Sequence, residues 1–218
     1  MTVSLKIDFV SDIVCPWCAV GLGALEQALS ALEGEVRAEL HFQPFQLNPA
    51  MGPEGQDIVE HLAQKYGLSA EQQAVNWRAL CERAAQAGFH FRAEGRGRTW
   101  NTFDAHRLLH WAGEVSPAHQ RALKRALLQA YFERGESVAD PKVLQAAAAE
   151  AGLDAARAAS ILAGDEFADA VRERLAFYAQ AGIQAVPSVI VNDQYLIQGG
   201  QPAEAFEQAL RQIAGRAA

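Results

Sequence analysis

The chain has 218 residues, half of them hydrophobic, enough for one or two domains with a sizeable core. It carries 19 Lys and Arg against 26 Asp and Glu, a formal charge of −7, which speaks against nucleic acid or an anionic membrane as a partner. No apolar run approaches the ~18–20 residues of a membrane span, and Met1 to Asp12 lacks the charged and apolar regions of a secretory signal, so a cytoplasmic protein is expected.

Val3 to Val10 alternates apolar and polar residues at the strand period, and Val20 to Leu32 carries apolar residues at helical spacing. Between them stands Cys15-Pro16-Trp17-Cys18, with Pro16 suited to a first helical turn, where it has no intrahelical donor to lose. With Cys15 at the N-cap, its sulfur faces unpaired N–H groups and the positive end of the helix dipole, which favour thiolate and lower a thiol pKa from about 8.5. Cys18, one turn further in, can reach back to close a disulfide, so Cys15 is the expected nucleophile and Cys18 the resolving thiol. Zinc is disfavoured, because no second CxxC or well-spaced His pair completes a four-ligand site. A structural disulfide is disfavoured too, since so short a loop constrains little of the unfolded chain.

Val36 to Phe45 reads as a second strand, parallel to the first because a helix connects them. Gln46 to Gln56 is a loop rich in Pro and Gly. Strand signals then stop, and helices are expected over 57–66, 70–87, 102–112, 118–134, 141–151, 154–162 and 167–181, with Gly88 to Arg98 giving no clear pattern. Cys81 shares a helical face with Trp77, Leu80 and Ala84, so a small core residue is expected over a redox-sensing thiol. His106 and His110 lie one turn apart and could share a metal, but without a third ligand solvated or core histidines are the better reading. Asn101 or Thr102 is expected to cap their helix. Most aromatic residues should be core; Trp17, between the cysteines, should stand partly exposed.

Strands return at Ser188–Val191 and Tyr195–Gln198 around the short turn Asn192-Asp193-Gln194, and a last helix spans Ala203–Ile213. Pro187 must open its strand or turn the chain into it. Local sequence favours a trans bond there, since only about 5–6% of X–Pro bonds are cis; a cis bond would leave the Val186 backbone free to pair with a bound peptide. Gly199-Gly200 either offers N–H groups to a carboxylate, such as that of glutathione, or simply turns the chain into a helix with Pro202 at its first position.

The strand-CPWC-helix start and the Val186-Pro187-strand-hairpin-helix end resemble the thioredoxin superfamily, specifically DsbA-like proteins of the FrnE type. The resemblance runs nearly the whole chain and includes Val10 to Val14, Asn101 to Arg107 and Gly199 to Pro202. It implies an α/β, thioredoxin-like fold with a large all-helical insertion: residues 1–50 and 183–218 form the thioredoxin-like domain, and 51–182 the insertion, whose last helix packs on the core. It also implies a nucleophilic Cys15, a resolving Cys18, a cis Pro187 beside them, and a helix bearing Asn101 and His106 that faces the cysteines. Pro16, Trp17, Val186, Pro187, Asn101 and His106 are then the expected substrate-binding residues. The implied function is disulfide exchange with a protein, a peptide or a small thiol such as glutathione, with no metal and no other cofactor, in a monomer or a homodimer. Kappa-class glutathione transferases and hydroxychromene-carboxylate isomerases look similar in layout, but those relatives carry serine where Cys15 stands. A non-catalytic, chaperone-like peptide-binding module is the third reading.

Overall fold

In the computed structural model, which describes residues 2–217, Val3–Ser11 (β1) is an inner strand of a four-stranded sheet. It is followed by Pro16–Ala31 (α1) and by Val36–Pro44 (β2), which pairs with β1 in parallel and sets Phe42 opposite Phe9. Their rings meet edge to face at 5.8 Å. The helical crossover makes the parallel pairing sterically accessible.

Residues 56–180 form a helical excursion. It comprises Gln56–Asp57 (β3), Ile58–Tyr66 (α2), Ala70–Gln86 (α3), Arg98–Thr99 (β4), Phe103–Val115 (α4), Pro117–Phe132 (α5), Pro141–Glu150 (α6), Ala155–Ala163 (α7) and Ala168–Gln180 (α8). Local chemistry sets many of the boundaries: Asp57 accepts from the Val59 and Glu60 amides to start α2, Gly67 ends it at φ 68°, and Ser69 with Gln72 forms a capping box on α3. The chain then returns as Ser188–Val191 (β5), Tyr195–Gln198 (β6) and Ala203–Ala217 (α9). The sheet order is β2-β1-β5-β6, with β5 antiparallel to both neighbours. The β5–β6 turn places Asn192 and Asp193 at positive φ, as a two-residue hairpin requires, and the Asn192 side chain accepts from the Lys6 amide at 3.0 Å.

Three sequence expectations need correction. The small β3–β4 pair was invisible to periodicity, because two-residue strands have no period. Helix α4 runs past Ala112 to Val115. Gly113 is accommodated within it because α5 brings Gln120 so close that a Cβ there would lie 2.8 Å from its amide nitrogen. Pro202 precedes α9 rather than occupying its first position.

Gln120 also protects the outer edge of β2. It accepts from the Phe42 amide at 2.9 Å and donates to the Phe42 carbonyl at 3.1 Å, pairing edge groups that would otherwise be buried unpaired, and it also donates to the Leu109 carbonyl of α4 at 3.1 Å. The hydrophobic core runs without a break from Phe9 in β1 through Cys18 in α1 to Leu108 in α4, Leu127 in α5 and Phe206 in α9. Helix α8 packs on both α4 and β2. The N-terminus of α1 thus lies where the sheet, the helical excursion and the β5–β6 unit converge.

Candidate active site

Cys15 is the N-cap of α1, with extended backbone at φ −89° and ψ 113°, and Pro16 opens the helix. The Cys18 amide donates to the Cys15 carbonyl at 3.0 Å, which closes the first turn and stacks the two residues. Both are free thiols, Cys18 fully buried and Cys15 nearly so at 5% exposure.

Their environments push them apart. Donation by the Cys18 thiol is the strongest influence holding Cys15 below the usual thiol pKa; burial opposes it, and the Cys18 and Trp17 amides add further support. The helix N-terminus therefore contributes as expected, but second to the partner cysteine, and the sulfur makes no full cap hydrogen bond. Burial pushes Cys18 well up, and its hydrogen bond to Cys15 and the Cys15 charge push the same way.

The opposite wall is the Val186–Pro187 segment, whose peptide bond is cis as the family resemblance implied. Cys15 Sγ lies 3.8 Å from the Val186 carbonyl oxygen. Pro187 is held by the Gly199 amide, which donates to its carbonyl at 2.8 Å, while Ser188 Oγ donates to Ala185. That bond occupies the Gly199 N–H, so it is not free for a carboxylate. Small residues let the wall approach: a Cβ on Gly21 would sit 3.0 Å from Pro187 Cγ, and one on Gly200 would sit 3.1 Å from the Trp17 carbonyl oxygen. Trp17 stands 38% exposed with the Arg83 guanidinium over its ring at 5.3 Å, and Arg96 donates to the Val14 carbonyl at 3.5 Å. Two arginines therefore flank the cysteine turn.

Beneath it lies a buried polar cluster. The Asp12 carboxylate accepts from the Ile13 and Leu47 amides, each at 2.7 Å. His106 Nε2 lies 2.9 Å from the Phe45 carbonyl oxygen and 3.5 Å from Asp12 Oδ1. Burial alone would raise Asp12, but His106, the Leu47 amide and Thr102 outweigh it and hold the carboxyl below its usual range. Burial lowers His106, which stays neutral more readily than a free imidazole. Lys124, from α5, is fully buried in the same region. Neither Asp12 nor Lys124 stood out in the sequence as a site residue. The available signal was a charged residue on an apolar stripe, since Lys124 shares its helix face with Leu127, Leu128 and Tyr131.

His106 is buried beneath the cysteine turn, its side chain 2% exposed, and it borders a cavity of about 200 Å³ to which neither cysteine contributes. His110 points elsewhere, toward Glu114 and the Phe167 ring. Thr102 is the N-cap residue of α4 but makes no side-chain cap bond; Asn101, one residue earlier, accepts from the Phe103 amide at 2.8 Å and donates to the Met51 carbonyl at 2.9 Å. Asn101 lines a cavity of about 480 Å³ with Gln46, Met51, Phe103 and Arg172, to which neither cysteine contributes. Cys81 is half-buried against the core, and burial raises its thiol.

Comparison with known proteins agrees with this architecture. A family model described as DSBA-like thioredoxin domain matches residues 6–211. The uncharacterized protein YwbO of Bacillus subtilis (strain 168) is 29% identical over 96% of each chain. The crystal structure of a probable DsbA oxidoreductase from Streptomyces coelicolor superposes with a TM-score of 0.90 at 36% identity, covering 97% of this chain and 90% of that one. At the level of fold, the cytosolic disulfide reductase DsbM from Pseudomonas aeruginosa with GSH superposes with a TM-score of 0.62 at 16% identity, covering 95% and 98%. With its inserted helices, its cysteine turn at the start of α1 and a match spanning nearly all its length, the chain belongs to the DSBA-like thioredoxin domain family.

Proposed function

We propose that this chain is a thiol–disulfide oxidoreductase working through Cys15 and Cys18. The observation that carries this reading is the geometry of the pair: Cys15 stands at the N-cap of α1 with Cys18 one turn deeper and the Val186 carbonyl of the cis Val186–Pro187 segment 3.8 Å away, and the surroundings favour ionisation of the first thiol over the second. The Cys15 thiolate attacks a substrate disulfide, a bond forms between Cys15 Sγ and one substrate sulfur, and the other leaves as a thiolate. Cys18 then attacks Cys15 Sγ and expels the second substrate sulfur, so two electrons pass from the enzyme dithiol to the substrate. Run backwards, the same steps oxidise a substrate dithiol. A stabilised Cys15 thiolate favours the reduced protein and so makes its disulfide form oxidising.

In this reading Trp17, 38% exposed, and the Val186 carbonyl, 3.8 Å from Cys15 Sγ, meet substrate, and an extended peptide laid along Val186 would pair with it in strand fashion. Pro16 and Pro187 shape the two walls, while His106 acts from beneath through Asp12. Asn101 acts at one remove, by tying the Met51 loop to α4. Arg83 and Arg96 bring positive charge to this turn in a chain of net charge −7, a setting that favours thiols bearing carboxylates, glutathione among them. The chemistry draws on sulfur alone, and a cytoplasmic setting suits a chain with three cysteines and one active pair.

The test is insulin-disulfide reduction with the wild type, Cys15→Ser and Cys18→Ser. Cys15→Ser should be inactive, and Cys18→Ser should accumulate a mixed disulfide on Cys15, seen by mass. Turnover that survives in both variants would overturn the assignment.

A further inference from the structure

Lys124 is an unexplained charge at the centre of the molecule. It is fully buried, and its Nζ is the buried side-chain nitrogen that has no hydrogen-bond partner among the described residues. Burying an ammonium without partners is expensive, so a lysine retained there needs a compensating role. Every charged group acting on it belongs to the exchange site. Cys18 of α1, and Asp12 and Cys15 of the segment before it, favour its protonated form, while His106 of α4 feels its charge in turn. The other elements packed on α5 bring no charge to it: β2 offers the Phe42 ring, 6.0 Å from Nζ, and α6 buries only Leu144, Ala147 and Ala148. Burial lowers Lys124, and Cys18, Asp12 and Cys15 in their ionised forms oppose it; burial raises Cys18, and Lys124 is the side-chain charge that opposes that.

We propose that Lys124 is the buried counter-cation of the resolving step, offsetting the negative charge that Cys18 sulfur must carry to attack the mixed disulfide. This inference rests on the exchange reading above. In that step the Cys18 Sγ–Cys15 Sγ bond forms and the bond from Cys15 Sγ to the substrate sulfur breaks. The proton lost by Cys18 passes to the departing sulfur, or to solvent where that sulfur leaves as a thiolate, and the enzyme dithiol becomes a disulfide. Lys124 acts through its field on Cys18 and is a positioning residue. The resolving thiol is the one that needs such help, since burial and its neighbour both hold its proton in place.

One equivalent of dithiobis(nitrobenzoate) separates the two steps, because attack by Cys15 releases one coloured thiolate and attack by Cys18 releases the second. In Lys124→Met the second release should slow about tenfold, equivalent to about one pKa unit, and its pH midpoint should move upward, while the first release slows by less, since Cys15 is the weakest of the three groups coupled to Lys124. A second release with unaltered rate and midpoint would overturn the proposal. Absence of the first release in the wild type would instead defeat the exchange reading. Should Lys124→Met fail to fold, carbon-13 NMR of the wild type gives an independent test, since the chain has four lysines and the other three are exposed. Lys124 should hold its proton to higher pH in the reduced protein, where a thiolate supports it, than in the disulfide form. Equal midpoints in the two forms would overturn the role.

Discussion

Cys15 and Cys18 are the same residue type within one helical turn, yet their partners give them opposite ionisation tendencies. The same logic governs His106, where it yields a stability prediction. Its folded pKa is lowered, so as pH falls through about 6.5 the unfolded chain takes up a proton that the folded chain does not. Stability should therefore fall with acid in that window. Asp12 adds a second loss lower down: its depressed pKa stabilises the fold above the usual carboxylate value, and this is lost as pH drops through the folded value. Urea midpoints at about pH 7.5 and about pH 5 should differ more for the wild type than for His106→Gln; equal differences would show that His106 contributes nothing to the acid response. At this scale the sequence revealed the residues whose chemistry is local: Cys15, Pro16, Trp17 and Cys18 lie in one motif, and Val186-Pro187 announces itself by a proline ahead of a β-branched run. Asp12, His106 and Lys124 were not legible as a unit, because the segment after β1, α4 and α5 gather them only in three dimensions.

At the scale of elements, α1 is positioned by close approach. Gly23 lies so near α3 that a Cβ would fall 1.9 Å from the Ala87 carbonyl oxygen, a backbone atom that cannot rotate away. Gly23→Ala should therefore destabilise the fold by about 1–3 kcal/mol, the range of overpacking in a tight core. A urea titration measures this directly, and an unchanged midpoint would contradict the packing argument. The long helices were readable because their apolar residues repeat at helical spacing and Ser69, Asp140 and Asp154 cap them as such residues should. The end of α4 was not, because Gly113 reads as a stop until Gln120 of α5 is seen beside it. The β3–β4 pair has its cause in tertiary contact as well.

Across the whole molecule, one core joins the sheet to the helical excursion and places the cysteine turn at their seam. The parallel β1–β2 pair, the closing hairpin and the helix count of the excursion were legible, since each follows from local pattern and chain connectivity. The convergence of three regions on Cys15 came from the resemblance and from the fold. Nothing in a one-dimensional pattern sets Val186 beside a residue at position 15. The central claim, a single redox pair served by this seam, is tested most directly by equilibrating the protein across glutathione redox buffers and counting free thiols after acid trapping. The account predicts a reversible two-electron transition in which the count falls from three to one, with Cys15 bonded to Cys18 and Cys81 left free. Three thiols persisting across the oxidising range, or Cys81 taking the place of either active-site cysteine, would contradict it.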